Sequence, residues 1–276
     1  MSRALIWTSL RLSQWAIVAW AVLLILYGFL ILLLYPAIQE SSGPVLGDYL
    51  RSLPEGLLAS MGLTQEVLDK ILTEQGFSIA GFIGTEYLAW WPVMAGIYAF
   101  IFGSGAVARE AERGTMELLL SHPVSRAQVV ASKFLAFLAI AGLLVIATVA
   151  GISLGDLLID ENLDLLRVFL AILQGGLAAV TIASYSLLIS CITLDPRKAM
   201  ALAGGIMAVQ YILGLLGPLL DSFAWVQRLS LFYYYRPLDV MVQGQFALSS
   251  VLVYSRVSVA CLAAALVVFQ RRKAVV

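Results

Sequence analysis

AREAERGTMELLLSHPVSRAQVVASK, residues 108–133, is the stretch on which the reading of this chain turns. It sets Arg109, Glu110, Glu112, Arg113, Glu117, Arg126 and Lys133 between two apolar runs of about 20 residues, each long enough to cross a bilayer. Gly114 can take the left-handed conformation that ends a helix, so the helix arriving through Arg109 stops there. Thr115 then caps a short helix that carries Glu117 in its first turn, where the helix dipole favours an anion. Pro123 disfavours helical geometry at His122, which confines that helix to residues 116–121, with Leu118, Leu119 and Leu120 as its apolar content. Ser125 and Gln128 stand at capping-box spacing, flanked by Val124 and Val129, and start a third helix that runs back into the membrane.

The pattern is helix, turn, short surface helix, turn, helix. Leucines on a rigid crossing at a water-facing surface suit docking by another protein. The plainer alternative is a well-capped hairpin whose leucines rest on lipid headgroups.

Composition sets the class. The 276 residues are 61% hydrophobic and 12% charged, against about 25% charged in soluble domains. This is an integral membrane protein. Net charge is zero, so nothing in the balance argues for nucleic acid. Cys191 and Cys261 have no partner spacing and read as inert thiols.

Residues 2–14 mix Arg3 and Arg11 with Leu5, Ile6, Trp7, Leu10 and Leu12, a pattern for a helix lying in the interface. A first span over 15–35 is expected to stop at Pro36. Residues 36–78 form an acidic outer loop containing a helix capped by Thr64 and stopped by Gly76, and its expected role is to cover the outer mouth. Further spans are expected over 87–107, 134–154, 168–189, 199–220 and 251–269. Glu86 reads as the solvated start of the second span, with Trp90 and Trp91 in an interfacial aromatic belt. The apolar 221–250 connection, rich in Phe and Tyr, is either a pair of interfacial or re-entrant helices or, the preferred reading, a belt fixing the depth of the last two spans. Small residues such as Gly142, Gly151, Gly175, Gly176, Gly204, Gly205 and Gly214 suit close helix packing. The whole of 1–276 is read as one transmembrane domain.

Six spans put both termini on one side. Arg3, Arg11, Arg109, Arg113, Arg126, Lys133, Arg197, Lys198, Arg271, Arg272 and Lys273 share it, eleven of the seventeen basic residues, with only Glu110, Glu112, Glu117 and Asp195 of the acids. That side is cytoplasmic by the positive-inside bias. The expected location is the cell membrane, multi-pass, with both termini cytoplasmic.

The chain carries no chemistry of its own. A phosphate-binding loop needs Gly-Lys-Ser/Thr, and Lys70, Lys133, Lys198 and Lys273 follow Asp69, Ser132, Arg197 and Arg272. His122 is the sole histidine, which excludes two-histidine zinc motifs, and the spans hold almost no ionisable groups of the kind a proton-driven carrier needs. No catalytic residue, cofactor or metal site is expected.

The run Glu110, Glu112, Gly114, Thr115, Glu117, Leu119, Leu120, Pro123, Ser125, Arg126, followed by Lys133, resembles the first cytoplasmic loop of ABC transporter permeases of the type-two exporter family. The ending Phe269-Gln270-Arg271-Arg272 is similar to the F-x-R-R of such permeases, although Lys273 replaces the expected Asp. The resemblance implies an all-α permease of six transmembrane helices whose short crossing is a coupling helix docked in a separate ATPase subunit. ATP and Mg would bind in that partner, and a second permease copy, identical or homologous, would complete the path. Glu110, Glu112 and Arg113 would make rim contacts, Leu118, Leu119 and Leu120 the apolar anchor, and Gly114, Thr115, Glu117 and Pro123 the frame. Arg126 would fix the loop to its own helix end or to the partner. The competing reading is a membrane scaffold or sensor whose hairpin binds a regulatory protein.

Overall fold

The computed structural model describes residues 3–73, 76–116, 124–159, 161, 163–219 and 225–272. Helix α1 (Arg3–Leu12) is followed by α2 (Gln14–Arg51), α3 (Glu55–Ser60), α4 (Gln65–Ile71) and a two-residue antiparallel ladder of β1 (Leu72–Thr73) with β2 (Gly76–Phe77). Then come α5 (Ile79–Glu86), α6 (Trp91–Glu112), α7 (Arg126–Ile159), α8 (Leu165–Thr193), α9 (Pro196–Leu216), α10 (Pro237–Gln243) and α11 (Leu248–Arg271). Among the described residues six segments are long and apolar enough to cross a membrane: Gln14–Glu40, Ile79–Glu112, Arg126–Ile159, Leu165–Thr193, Pro196–Leu216 and Leu248–Arg271. The molecule is an all-α integral membrane protein.

Helix α8 is the hub. It packs against α6, α7, α9 and α11, and its wall of small residues is what lets them approach. A Cβ on Gly103 of α6 would lie 2.7 Å from the Ala183 carbonyl oxygen and 2.8 Å from Ser186 Cβ, so α6 touches α8 nearly backbone to backbone. Gly151 of α7 meets the backbone of Ile25 in α2 in the same way, at 2.6 Å. Gly175 lies under Trp91, Gly176 against Val145, and Gly204 against Phe100, whereas Gly142 and Gly205 face open space. Buried hydroxyls on α8 bond back to their own helix, Ser184 to Val180 O at 2.7 Å and Ser186 to Ile182 O at 2.6 Å. Such bonds satisfy polar atoms where no water reaches.

The first span does not stop at Pro36. Helix α2 continues through it for 38 residues, about 57 Å of axis against a hydrocarbon core of about 30 Å. A proline inside a helix removes one donor and strains one turn, but the packing of the upper half holds the helix together. Tyr35, Leu50, Leu58, Leu63, Val67, Leu68, Ile71, Phe82 and Leu238 form a second core beyond the bundle. Thr64 caps α4 by accepting from Val67 N at 3.3 Å, and Ser78 caps α5 by accepting from Gly81 N at 3.2 Å. Helix α4 ends at Ile71, with Gly76 in the ladder and not at a helix stop.

The second span also starts earlier than position 87. Helix α5 leads into a 3-10 turn, Leu88–Trp90, before α6 begins. Pro92 at the start of α6 has no N–H for the Leu88 carbonyl, which accepts from the Trp91 N–H and, at 2.9 Å, from the Tyr235 hydroxyl. Glu86 is exposed at the end of α5, where its carbonyl accepts from Tyr27 Oη at 2.8 Å. Of the two tryptophans only Trp90 is exposed. Trp91 is buried and its indole N–H donates to Thr148 Oγ1 at 2.9 Å, so it belongs to the bundle and not to a belt.

The connection after α9 folds inward. Its 3-10 turns, Val226–Leu229 and Phe232–Tyr234, lead to Tyr235, and its backbone is held by side chains from inside the bundle. Tyr254 Oη donates to Leu231 O at 2.9 Å, while Gln174 Nε2 and Ser250 Oγ donate to Tyr234 O at 3.1 and 2.7 Å. Ser230 Oγ donates to Gln210 O at 2.6 Å. Gln210 and Tyr254 each lie six residues inside their helix ends, so the loop dips about 9 Å between α9 and α11. The described part of the connection thus packs between the two helices as 3-10 turns and not as a pair of helices, and the hydrogen bonds satisfy its irregular backbone there.

Candidate functional site

The site is the end of the bundle that carries Gly114, Ser125, Leu194 and Arg272, here the near end. Helix α6 ends at Glu112, and Gly114 sits at φ +69° with its N–H donating to Ala111 O at 3.1 Å. The left-handed glycine turns the chain sharply, as expected. Thr115 and Met116 begin another helical turn. Met116 is buried with Ala106, Val107, Val130, Leu187, Cys191, Ala265 and Phe269, so the first step of the crossing is anchored in the bundle. Glu117, Leu118, Leu119, Leu120 and Pro123 lie outside the described residues.

The chain resumes with the capping box. Ser125 N donates to Gln128 Oε1 at 2.9 Å and Gln128 N to Ser125 Oγ at 3.2 Å, which starts α7 where the spacing places it. Between the two turns lies an ion pair. Glu110 Oε1 accepts from Lys133 Nζ at 3.0 Å, and the two side chains are only 19% and 12% exposed. The Thr115 hydroxyl donates to the other carboxylate oxygen at 2.7 Å. Glu110 therefore ties the end of α6, the start of the crossing and the second turn of α7. Glu112 and Arg113 are exposed beside it.

Arg126 is not engaged with its own helix end. Its guanidinium donates to Phe269 O at 3.3 Å and to Arg272 O, and stands 5.8 Å from the Phe269 ring centroid. Arg272 in turn donates to Ile192 O in the last turn of α8. Helix C-termini leave carbonyls unpaired and partly negative, so both cations sit where the helix dipoles favour them.

Two further contacts brace this end. Ser190 Oγ accepts from the N–H groups of Val107 and Ala108 at 3.2 and 2.9 Å, linking α8 to α6. Leu194 is left-handed at φ 51°, and Asp195 then caps α9, accepting from Arg197 N at 2.9 Å and Lys198 N at 3.1 Å. The Lys198 N–H, helped by the Lys198 side chain and the Arg197 N–H, holds the Asp195 carboxyl below the usual carboxylate range.

Of the residues singled out from the sequence, Glu110 and Thr115 come together, Glu112, Arg113 and Gly114 share an exposed edge, and Arg126, at the start of α7, instead contacts the end of the last helix. Lys133, Phe269, Arg272 and Ser190 complete the arrangement, and only the cation after the crossing and the F-x-R-R ending were visible as signals. Among the described residues no group of three or more His, Cys, Asp or Glu could hold a metal ion.

A family model described as ABC-2 family transporter protein matches residues 8–274. The chain belongs to that family. As an ABC-2 family member it is the membrane permease subunit of an ABC transporter, a kind of subunit that is not itself catalytic and that in this family normally works with an ATPase subunit. A comparison with curated proteins returned no match.

Proposed function

We propose that this permease forms half of the translocation path of an ATP-driven exporter, and that residues 109–133 are its coupling element to a separate ATPase subunit. The observation that carries the reading is the locked turn: Gly114 at positive φ, Met116 buried, and Glu110 joined to both Thr115 and Lys133. A crossing held this way transmits a push to α6 and α7 and does not absorb it. The exposed Glu112 and Arg113 serve as rim contacts to the ATPase, and Leu118, Leu119 and Leu120 as the apolar anchor in its groove. Hydrolysis takes place in the partner, which holds ATP and Mg. A second copy of the permease, identical or homologous, completes the path, and the basic near end faces the cytoplasm of a cell membrane, consistent with the positive-inside bias.

The test is gentle detergent purification followed by two substitutions. A stoichiometric ATPase with a phosphate-binding loop should accompany the protein. Glu112→Lys and Gly114→Val should uncouple hydrolysis from transport while the permease stays folded. Wild-type export and hydrolysis in both variants, or a preparation with no ATPase, would return the hairpin to the scaffold reading.

A further inference from the structure

One set of near-end contacts has no part in the docking just described. Arg126 opens α7 immediately after the crossing, yet both of its acceptors, Phe269 O and Arg272 O, belong to the end of the last span. The Phe269 ring beneath it is fully buried, in the same cluster as Met116, the last described residue before the crossing. Both shoulders of the crossing therefore bear on the end of α11. Arg272 then carries the connection to the carbonyl of Ile192 at the end of α8, the hub of the bundle. A guanidinium suits the first position because its Nη1 serves both carbonyls while its flat face lies toward the Phe269 ring, a stacked arrangement that a lysine ammonium does not reproduce.

We propose that Arg126, Phe269 and Arg272 form a clasp that makes the near ends of the third, fourth and last spans move as one body when the crossing is driven. Arg126 is then a positioning residue of the transport cycle, turned toward its own chain and not toward the ATPase. The proposal rests on the coupling reading, and assigns to the last span a share in the motion that the crossing alone would give only to the second and third.

The test uses the complex purified with its ATPase, in a background with Cys191 and Cys261 replaced. Spin labels at Ala127 and Gln270 straddle the clasp, and a second pair at Ala127 and Ala201 reports motion of α7 relative to α9. Distances are measured without nucleotide and with Mg-ATP trapped by vanadate. The expected result is a shift of the Ala127–Ala201 distance with no shift of Ala127–Gln270 in the parent, and a nucleotide-dependent shift or broadening of Ala127–Gln270 in Arg126→Ala. Arg126→Lys provides the same readout should the alanine variant fail to fold, and Arg272→Ala should free the end of α11 from α8. A parent in which Ala127–Gln270 shifts with nucleotide overturns the clasp. So do variants that lose thermal stability yet keep that distance constant, because the contact would then be structural only. If neither pair responds in any protein, the coupling reading fails and the clasp fails with it.

Discussion

The two ends of the bundle are fastened by different chemistry. At the near end most joints are ionic or charge-assisted, Glu110 with Lys133, Arg126 and Arg272 on helix carbonyls and Asp195 on the N–H groups of α9, with the neutral Ser190 hydroxyl bridging α8 to α6. At the far end the bonds that hold the inward loop and the helix ends beside it come from neutral groups, with Tyr27, Tyr235, Tyr254, Ser250 and Gln174 donating to backbone carbonyls. Charged groups act at the rim of that end: Arg167 donates to Met241 O at 3.2 Å and pairs with Asp164 at 3.0 Å, Asp164 caps α8, and Arg236 pairs with Asp239 at 3.7 Å. Joints next to water can exchange partners at modest cost, because solvent replaces a lost contact. A neutral bond in apolar surroundings has no such substitute, and breaking it leaves an unsatisfied carbonyl. The inter-helix joints of the near end are thus the ones suited to moving, and the inward loop of the far end the part suited to staying fixed.

The harshest way to break the comparison is to attack the seam that serves both ends. Gly103→Val would push a side chain into the Ala183 carbonyl and Ser186, an overpacking that costs about 3 kcal/mol or more. Loss of monodisperse protein in size-exclusion chromatography is expected, and a variant that elutes and melts like the parent would show that α6 and α8 are not this close.

Gln174→Leu sharpens the far-end half. It removes the amide donor from Tyr234 O and the acceptor of Arg236 N at 3.4 Å, for an expected loss of about 1–3 kcal/mol. Hydrogen exchange should speed up across residues 230–236 and stay unchanged around Gly114. Faster exchange at both places would mean the two ends are not mechanically distinct.

At the near end, Lys133→Met strands the half-buried Glu110 carboxylate, with an expected cost of about 1–2 kcal/mol because the pair retains some contact with solvent. Adding Glu110→Gln should recover part of that loss in thermal melts. A double variant less stable than Lys133→Met alone would deny that the pair is coupled.

The smallest effect is expected at the partly exposed Asp195. Its carboxyl is held below the ordinary 3.8, so it is the charged form that the folded cap prefers. The sign follows: the cap contributes fully above that value and is lost as pH falls from about 3.8 through the lower folded value. Exchange at the N-terminal turn of α9 should rise over that acid window in the parent, while in Asp195→Asn the same turn should show no such step.

How much of this was legible beforehand depended on distance along the chain. Gly114, the Ser125–Gln128 box and the Thr64 cap all act within a few residues, and each is found where its spacing places it. Pro36 misled because a proline weakens a helix without obliging it to end, and the outer core that carries α2 onward is assembled from segments far apart in sequence. Trp91 misled for a related reason: as a residue type it suits a membrane rim as well as a bundle, and only the position of Thr148 on a neighbouring helix decides which.

Taken alone, the order of residues determined that the chain is membrane-bound, which segments are long and apolar enough to cross, which stretch interrupts them, that Gly114 turns the chain and that α7 starts at the Ser125–Gln128 box. Those are consequences of segment length, hydropathy and local backbone preference. Only the folded molecule decided that Arg126 reaches a carbonyl 143 residues away, that Lys133 finds Glu110, and that Tyr235 donates to the Leu88 carbonyl that Pro92 has no N–H to serve. The reason is that spans apolar on every side carry little sign of which face turns inward. Which donors meet which carbonyls is set when the helices pack, by glycines that admit a neighbour and side chains that fill the space beside them.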